Sequence, residues 1–161
     1  MSTRTWFIAW TFAVVVAVPA LALGEGESAV ETEAPQEAVN RIVVEISNFQ
    51  DDTGQLGCTI FSGKEGFPDD EKKADTQIFG KPKSKKGKCV FDGVKPGTYA
   101  IAVMHDADMS GELNTSFVGR PKEWWGVSKN APAHRFGPPT FDECKFTYAG
   151  GKKTIKVKLQ L

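Results

Sequence analysis

The stretch KTIKVKLQL, residues 153–161, alternates polar and apolar side chains over its whole length. A second stretch, RIVVEIS at residues 41–47, alternates in the same way around one extra apolar position. Side chains of a β-strand point to opposite faces in turn, so this pattern indicates strands with one buried face and one wet face. The two stretches therefore predict an all-β fold.

The region between them carries further short segments of the same kind. Candidate strands lie at residues 57–61, 76–79, 88–91, 98–105 and 145–149. One helical turn or two is predicted around residues 69–73, and residues 115–140 read as a long loop rich in proline, glycine and aromatic residues that folds back over one end of the sandwich. About seven short strands with almost no helix predict a single β-sandwich.

The N-terminus has the pattern of an export signal. Arg4 precedes an apolar run at residues 6–23 that ends in small residues, which is typical of a cleaved secretory signal peptide at residues 1–24; an uncleaved anchor is the alternative. Residues 25–39 are rich in glutamate and poor in apolar side chains, so we interpret them as a flexible acidic linker. The folded domain is then expected at residues 40–161.

The charge balance argues against a nucleic-acid-binding protein. The formal net charge of the chain is zero, and loss of Arg4 with the signal peptide leaves −1. Lysines are nevertheless concentrated at one place, positions 81, 83, 85, 86 and 88. We interpret this run as a solvated loop between strands, in preference to a polyanion site.

The chain has three cysteines, so an exported form can hold one intramolecular disulfide and one free thiol. Cys58 and Cys89 both lie within candidate strands. We predict a Cys58–Cys89 disulfide with Cys144 as a buried core residue, although spacing alone leaves the other pairings open.

The loop HDADMSGELN, residues 105–114, resembles the front half of a calcium-binding loop. Acidic or hydroxyl side chains at alternate positions are followed by a glycine, as in D-x-[DN]-x-[DN]-G. The twelfth position is Phe117, so the bidentate glutamate that completes such a loop is missing. The same side chains suit an Asx turn, in which they bond their own backbone, and we favour that interpretation. Calcium is the alternative, with these candidate ligands: Asp106, Asp108, Ser110, Glu112 and Asn114.

Two other groups of residues are candidates for function. Trp124 and Trp125 could form a stacking platform for a sugar ring or a partner's apolar surface, but large aromatics more often serve cores, and we favour that use. His105, Asp106 and His134 are the candidates for a metal-dependent or hydrolytic centre. Adjacent strand residues point to opposite faces, so His105 and Asp106 are not expected to act as a dyad.

The combination of motifs resembles one family over residues 41–161. The stretches FDGVKPGTYAIAVMHDADMSGELNTSFVGRPKEWWGVSKNA and FGPPTFDECKFTY, which include a Pro-Lys-Glu segment at residues 121–123, are similar to those of DUF2141, exported bacterial domains of unknown function. The resemblance implies a secreted, transthyretin-like or immunoglobulin-like sandwich. It implies no established activity.

Together these observations predict an exported, non-catalytic binding or structural domain in the periplasm or outside the cell. Its expected partner is a carbohydrate or a protein surface, with no nucleic acid and with membrane contact only during export. The enzyme described above is the alternative.

Overall fold

The computed structural model describes residues 39–161. The predicted signal peptide, and the predicted acidic linker apart from Val39, lie outside these residues. No helix in the described part of the chain has the length and apolar character needed to cross a membrane.

Residues 39–161 form eight strands in two sheets, with very little helix. The strands are β1 (Arg41–Ser47), β2 (Gln55–Phe61), β3 (Thr76–Gly80), β4 (Lys86–Asp92), β5 (Gly97–Asp106), β6 (Trp125–Val127), β7 (Phe146–Tyr148) and β8 (Lys152–Lys158). The smaller sheet has the order β4-β1-β8, and the larger has the order β3-β2-β5-β6, with β7 also paired to β5. The predicted all-β sandwich is confirmed.

The alternating stretch at residues 41–47 lies beside most of the one at residues 153–161 in the smaller sheet. β1 pairs antiparallel with β4 and parallel with β8, with Val44 opposite both Cys89 and Ile155. Every second residue of these strands therefore faces the larger sheet. The core between the sheets combines Ile42, Val44 and Ile46 with apolar side chains of β2 and β5.

A disulfide joins Cys58 on β2 to Cys89 on β4, so it links one sheet to the other across the core. Cys144 is free and fully buried. Both predictions about the cysteines are confirmed.

The outer face of the larger sheet is covered by a second, smaller apolar cluster. Ala100, Trp125, Val127 and Cys144 form its buried part, and Phe67 and Phe141 pack against it at its edge. Because both faces of the larger sheet are covered, β2 and the part of β5 from Ala100 onward are buried at nearly every position and do not alternate between buried and exposed side chains.

Four features differ from the sequence-based expectations. Residues 115–140 are not wholly a loop, because β6 lies within them and pairs with β5. The helical turn near residue 70 is present as a 3₁₀ helix, Glu71–Lys73, but a second 3₁₀ helix, Ser128–Asn130, and a short α-helix α1, Phe141–Cys144, were not predicted. The lysine run is not only a loop, since Lys86 and Lys88 belong to β4.

Candidate metal centre

The candidate site begins where β5 ends. Strand alternation sends the His105 and Asp106 side chains to opposite sides, and both are buried. The His105 ring contacts Phe49 edge-on, with ring centroids 5.1 Å apart. Its Nε2 lies 2.8 Å from the carbonyl oxygen of Thr53, so Nε2 carries the proton and donates it. His105 is thus a hydrogen-bonded core residue at the base of the site.

Asp106 organises the loop that follows it. Its Oδ1 accepts a hydrogen bond from the backbone N–H of Ser110 at 3.0 Å. Its Oδ2 accepts one from the backbone N–H of Gly111 at 2.8 Å and one from the Gln55 side chain at 2.7 Å. These bonds from backbone groups four and five residues further on confirm the predicted turn in which side chains bond the local backbone.

Asp108 continues the same network on the exposed side. Its Oδ1 accepts from the backbone N–H of Ser110 at 3.1 Å, and its Oδ2 accepts from Asn114 Nδ2 at 2.8 Å. The Ser110 hydroxyl and the Asn114 amide beside this carboxylate, together with the Ser110 N–H, hold the pKa of Asp108 below its ordinary value. Asp108 therefore carries its negative charge at neutral pH.

Glu123, just before β6, completes the cluster. Only 7 % of Glu123 is exposed to solvent. Its Oε1 accepts a hydrogen bond from the backbone N–H of Ala107, and its Oε2 accepts one from the backbone N–H of Asn114, each at 2.9 Å. One oxygen each of Asp106, Asp108 and Glu123 lie within 4.8 Å of one another. The two ends of the loop are therefore fastened to a carboxylate that comes from outside it.

The cluster has an unbalanced charge. Among residues 39–161, no lysine, arginine or histidine forms an ion pair with any of its three carboxylates. Each ionised carboxylate offers about four lone-pair positions. Asp108 and Glu123 each accept two hydrogen bonds, so both retain oxygen lone pairs for a cation. These three acidic residues could hold a metal ion.

The other residues of the predicted ligand set have different places. Ser110 Oγ donates a hydrogen bond to the backbone oxygen of Glu112 at 3.0 Å. Asn114 donates one hydrogen bond from its side chain to Asp108 and one from its backbone N–H to Glu123. The Glu112 carboxylate is outside the cluster of three. Glu123 was missed by sequence reasoning because it lies outside the loop pattern; its Pro-Lys-Glu segment at residues 121–123 entered only as part of the family resemblance.

The two tryptophans lie in different surroundings. Trp125 belongs to β6, is 7 % exposed and is part of the smaller apolar cluster. Trp124 is partly buried and packs against the main core. Among residues 39–161, the most exposed aromatic side chains are instead Phe117 and Phe136.

The two histidines are not brought together. His134 Nε2 lies 3.0 Å from Glu143 Oε2 at the start of α1, whereas His105 bonds Thr53. In the described residues no hydrogen bond connects His134 with His105 or Asp106.

The fold and site define a class: a disulfide-linked, two-sheet β domain with an acidic cluster at the end of its longest strand. Residues 44–156 match the family DUF2141, described as an uncharacterized protein conserved in bacteria. The match covers most of the chain, which belongs to this family. No curated protein and no solved structure matches it.

Proposed function

We propose that this protein is an exported, non-catalytic β-sandwich domain that binds one calcium ion at Asp106, Asp108 and Glu123, and that the ion stabilises the domain. The observation that carries the proposal is the convergence of three carboxylates within 4.8 Å, with no cationic side chain of residues 39–161 paired to them. Like charges at this distance repel one another, and a bound cation removes that cost.

The donor set favours calcium over other metals. All three side chains supply carboxylate oxygen, the ligand type of hard cations. Zinc prefers histidine and cysteine, but His105 Nε2 is committed to Thr53 and Cys144 lies in the smaller apolar cluster. Calcium also accepts flexible geometry and more ligands than magnesium, and it takes backbone carbonyl oxygens as well as carboxylates, which suits a loop site.

The expected location supports the same choice. A Cys58–Cys89 disulfide in a bacterial family is typical of an oxidising compartment outside the cytoplasm. The signal-peptide pattern of residues 1–24 agrees with export. Extracellular calcium modules bind calcium with dissociation constants of about 10⁻⁴–10⁻³ M. The weak affinity expected of a site with only three carboxylates is therefore enough for calcium to occupy it outside the cell.

Calcium titration by calorimetry tests the proposal. We expect one ion per chain for the wild type, at least about tenfold weaker binding for Asp108→Asn, and unchanged binding for Glu112→Gln. Asp108→Asn removes a ligand charge while keeping the side-chain shape, and Glu112→Gln removes the same charge from the same loop outside the cluster. Equal losses in the two variants would show general charge attraction, and no heat in the wild type would refute the site.

A further inference from the structure

The smaller sheet collects two lysine-rich segments that are far apart in the sequence. Lys86 and Lys88 lie on β4, and Lys152, Lys156 and Lys158 lie on β8. The register places β4 and β8 on either side of β1, so that Lys86 and Lys158 share one level, Lys88 and Lys156 share the next, and Lys152 lies opposite Arg41. All five lysines are exposed on the sheet surface that faces away from the core.

This surface, which we call the basic face, consists of the outward residues of β1, β4 and β8. Its charged members are the five lysines and Arg41, against Glu45 and Asp92, which gives a net formal charge of +4. Arg41 pairs with Asp92. None of the five lysines is in an ion pair within the described chain. The five lysines, set against Glu45, thus leave an excess of four positive charges on this face of a chain whose formal net charge is zero.

The composition of the basic face excludes several kinds of partner. Protein interfaces are depleted of lysine and have an apolar or aromatic centre, whereas the only large apolar side chains here are Val43, which is buried, and Val90. Single-stranded nucleic acids and sugars need aromatic side chains for stacking, and the face has none.

The shape of the basic face points to a planar anionic partner. Three adjacent strands of seven residues make a surface about 10 Å wide and about 20 Å long. Side chains on one face of a sheet project in the same direction, so all five ammonium groups can reach one plane at once. A linear polyanion would meet one lysine column, whereas a charged bilayer meets both.

We propose that the basic face docks on the surface of an anionic lipid bilayer. Lysine ammonium groups are strongly hydrated point charges, and a bilayer surface attracts them through its diffuse potential without requiring them to lose their water. The basic face was not visible in the sequence, where the lysine run at residues 81–88 was interpreted as a solvated loop, because the lysines of β8 are more than 60 residues away from that run. Membrane contact would then extend beyond export.

Vesicle sedimentation tests the proposal. The whole chain is expressed in a bacterial host and the mature protein is purified. The mass of the intact protein then shows at which residue it begins. Vesicles of equal parts phosphatidylglycerol and phosphatidylcholine are compared with pure phosphatidylcholine, which measures any contribution of the apolar residues 6–23. The face variant Lys88→Gln/Lys156→Gln/Lys158→Gln is compared with Lys64→Gln/Lys72→Gln/Lys122→Gln, which removes the same charge from exposed loop and 3₁₀ positions.

We expect binding to anionic vesicles that disappears between about 0.1 M and about 1 M salt, because the Debye length falls from about 10 Å to about 3 Å. The face variant should partition about 100-fold more weakly, at roughly fivefold per lysine, and the control variant should match the wild type. Equal losses in both variants, or no salt-sensitive binding, would overturn the proposal. Binding of dextran sulfate without binding of anionic vesicles would assign the face to a linear polyanion and would also overturn it.

Discussion

At the scale of single residues, the loop is held by close backbone contacts as much as by its carboxylates. Gly54 has a φ of +66°, and a Cβ placed there would lie 2.2 Å from the Asp106 carbonyl oxygen. Gly111, inside the loop, has a φ of +88° but would meet nothing within 4 Å. The two glycines share a backbone conformation and differ only in crowding.

Substitution of the two glycines by alanine should therefore have unequal effects. We expect Gly54→Ala to lower the free energy of unfolding by about 3 kcal/mol or more, since backbone atoms cannot move aside as a side chain can. Gly111→Ala should cost about 1 kcal/mol, from backbone strain alone. Urea unfolding measures both. Equal losses would mean that Gly54 does not pack against the end of β5 as described.

Sequence spacing predicted part of the site. The alternation of Asp106 and Asp108 before a glycine is a local pattern, so it was visible, and so was the turn that these side chains make. Glu123 joins them only because residues 115–122 return the chain to the end of β5. Such a tertiary contact leaves no fixed spacing in a single sequence.

At the scale of elements, the short helix α1 shows how local hydrogen bonds fix a boundary. Glu143 Oε2 accepts from both the N–H and the hydroxyl of Thr140, each at 2.7 Å, and lies 3.0 Å from His134 Nε2. These bonds lower the pKa of Glu143 from 4.5 to about 2, with the Thr140 hydroxyl as the largest cause.

This shift predicts a pH-dependent contribution to stability. The folded state holds Glu143 deprotonated more strongly than the unfolded state, so the contribution is present above pH 4.5 and is lost as the pH falls toward 2. Glu143→Gln should lower the melting temperature at pH 6, and the difference from wild type should shrink as the pH falls through that window. Melts in the presence of chelator measure it. Glu71→Gln, which replaces a partly exposed acid in the 3₁₀ helix Glu71–Lys73, serves as the control; a constant difference for Glu143→Gln would contradict the assignment.

The elements differ in how clearly the sequence marked them. Strands with one wet face, such as β1 and β8, show this alternation. β1 was predicted at its exact bounds, whereas β8 begins one residue before the predicted stretch and ends at Lys158, three residues before the end of that stretch. β6 has only three residues, all buried, so it carries no alternation. Its place beside β5 depends on the smaller apolar cluster, and α1 is too short to show a helical period.

At the scale of the whole molecule, the disulfide is the covalent link between the two sheets. Its cysteines are 31 residues apart. In the chain-entropy account, closing a loop of this length stabilises the folded state by about 3.5 kcal/mol.

Reduction should therefore weaken the whole domain. We expect dithiothreitol to lower the free energy of unfolding of the wild type by about 3.5 kcal/mol in urea. The double variant Cys58→Ala/Cys89→Ala should be insensitive to the reductant, which makes it the matched control. A wild type unaffected by reduction, with its disulfide verified as open, would contradict this role of the link.

The central claim is that Asp106, Asp108 and Glu123 bind calcium and thereby stabilise the domain. Thermal melts over millimolar calcium, against chelator, test it most directly. At a calcium concentration about tenfold above the dissociation constant, the wild-type melting temperature should rise by about 5 °C, and Asp108→Asn should show little of this rise while Glu112→Gln keeps it. A wild-type melting temperature that is the same in calcium and in chelator would contradict the claim.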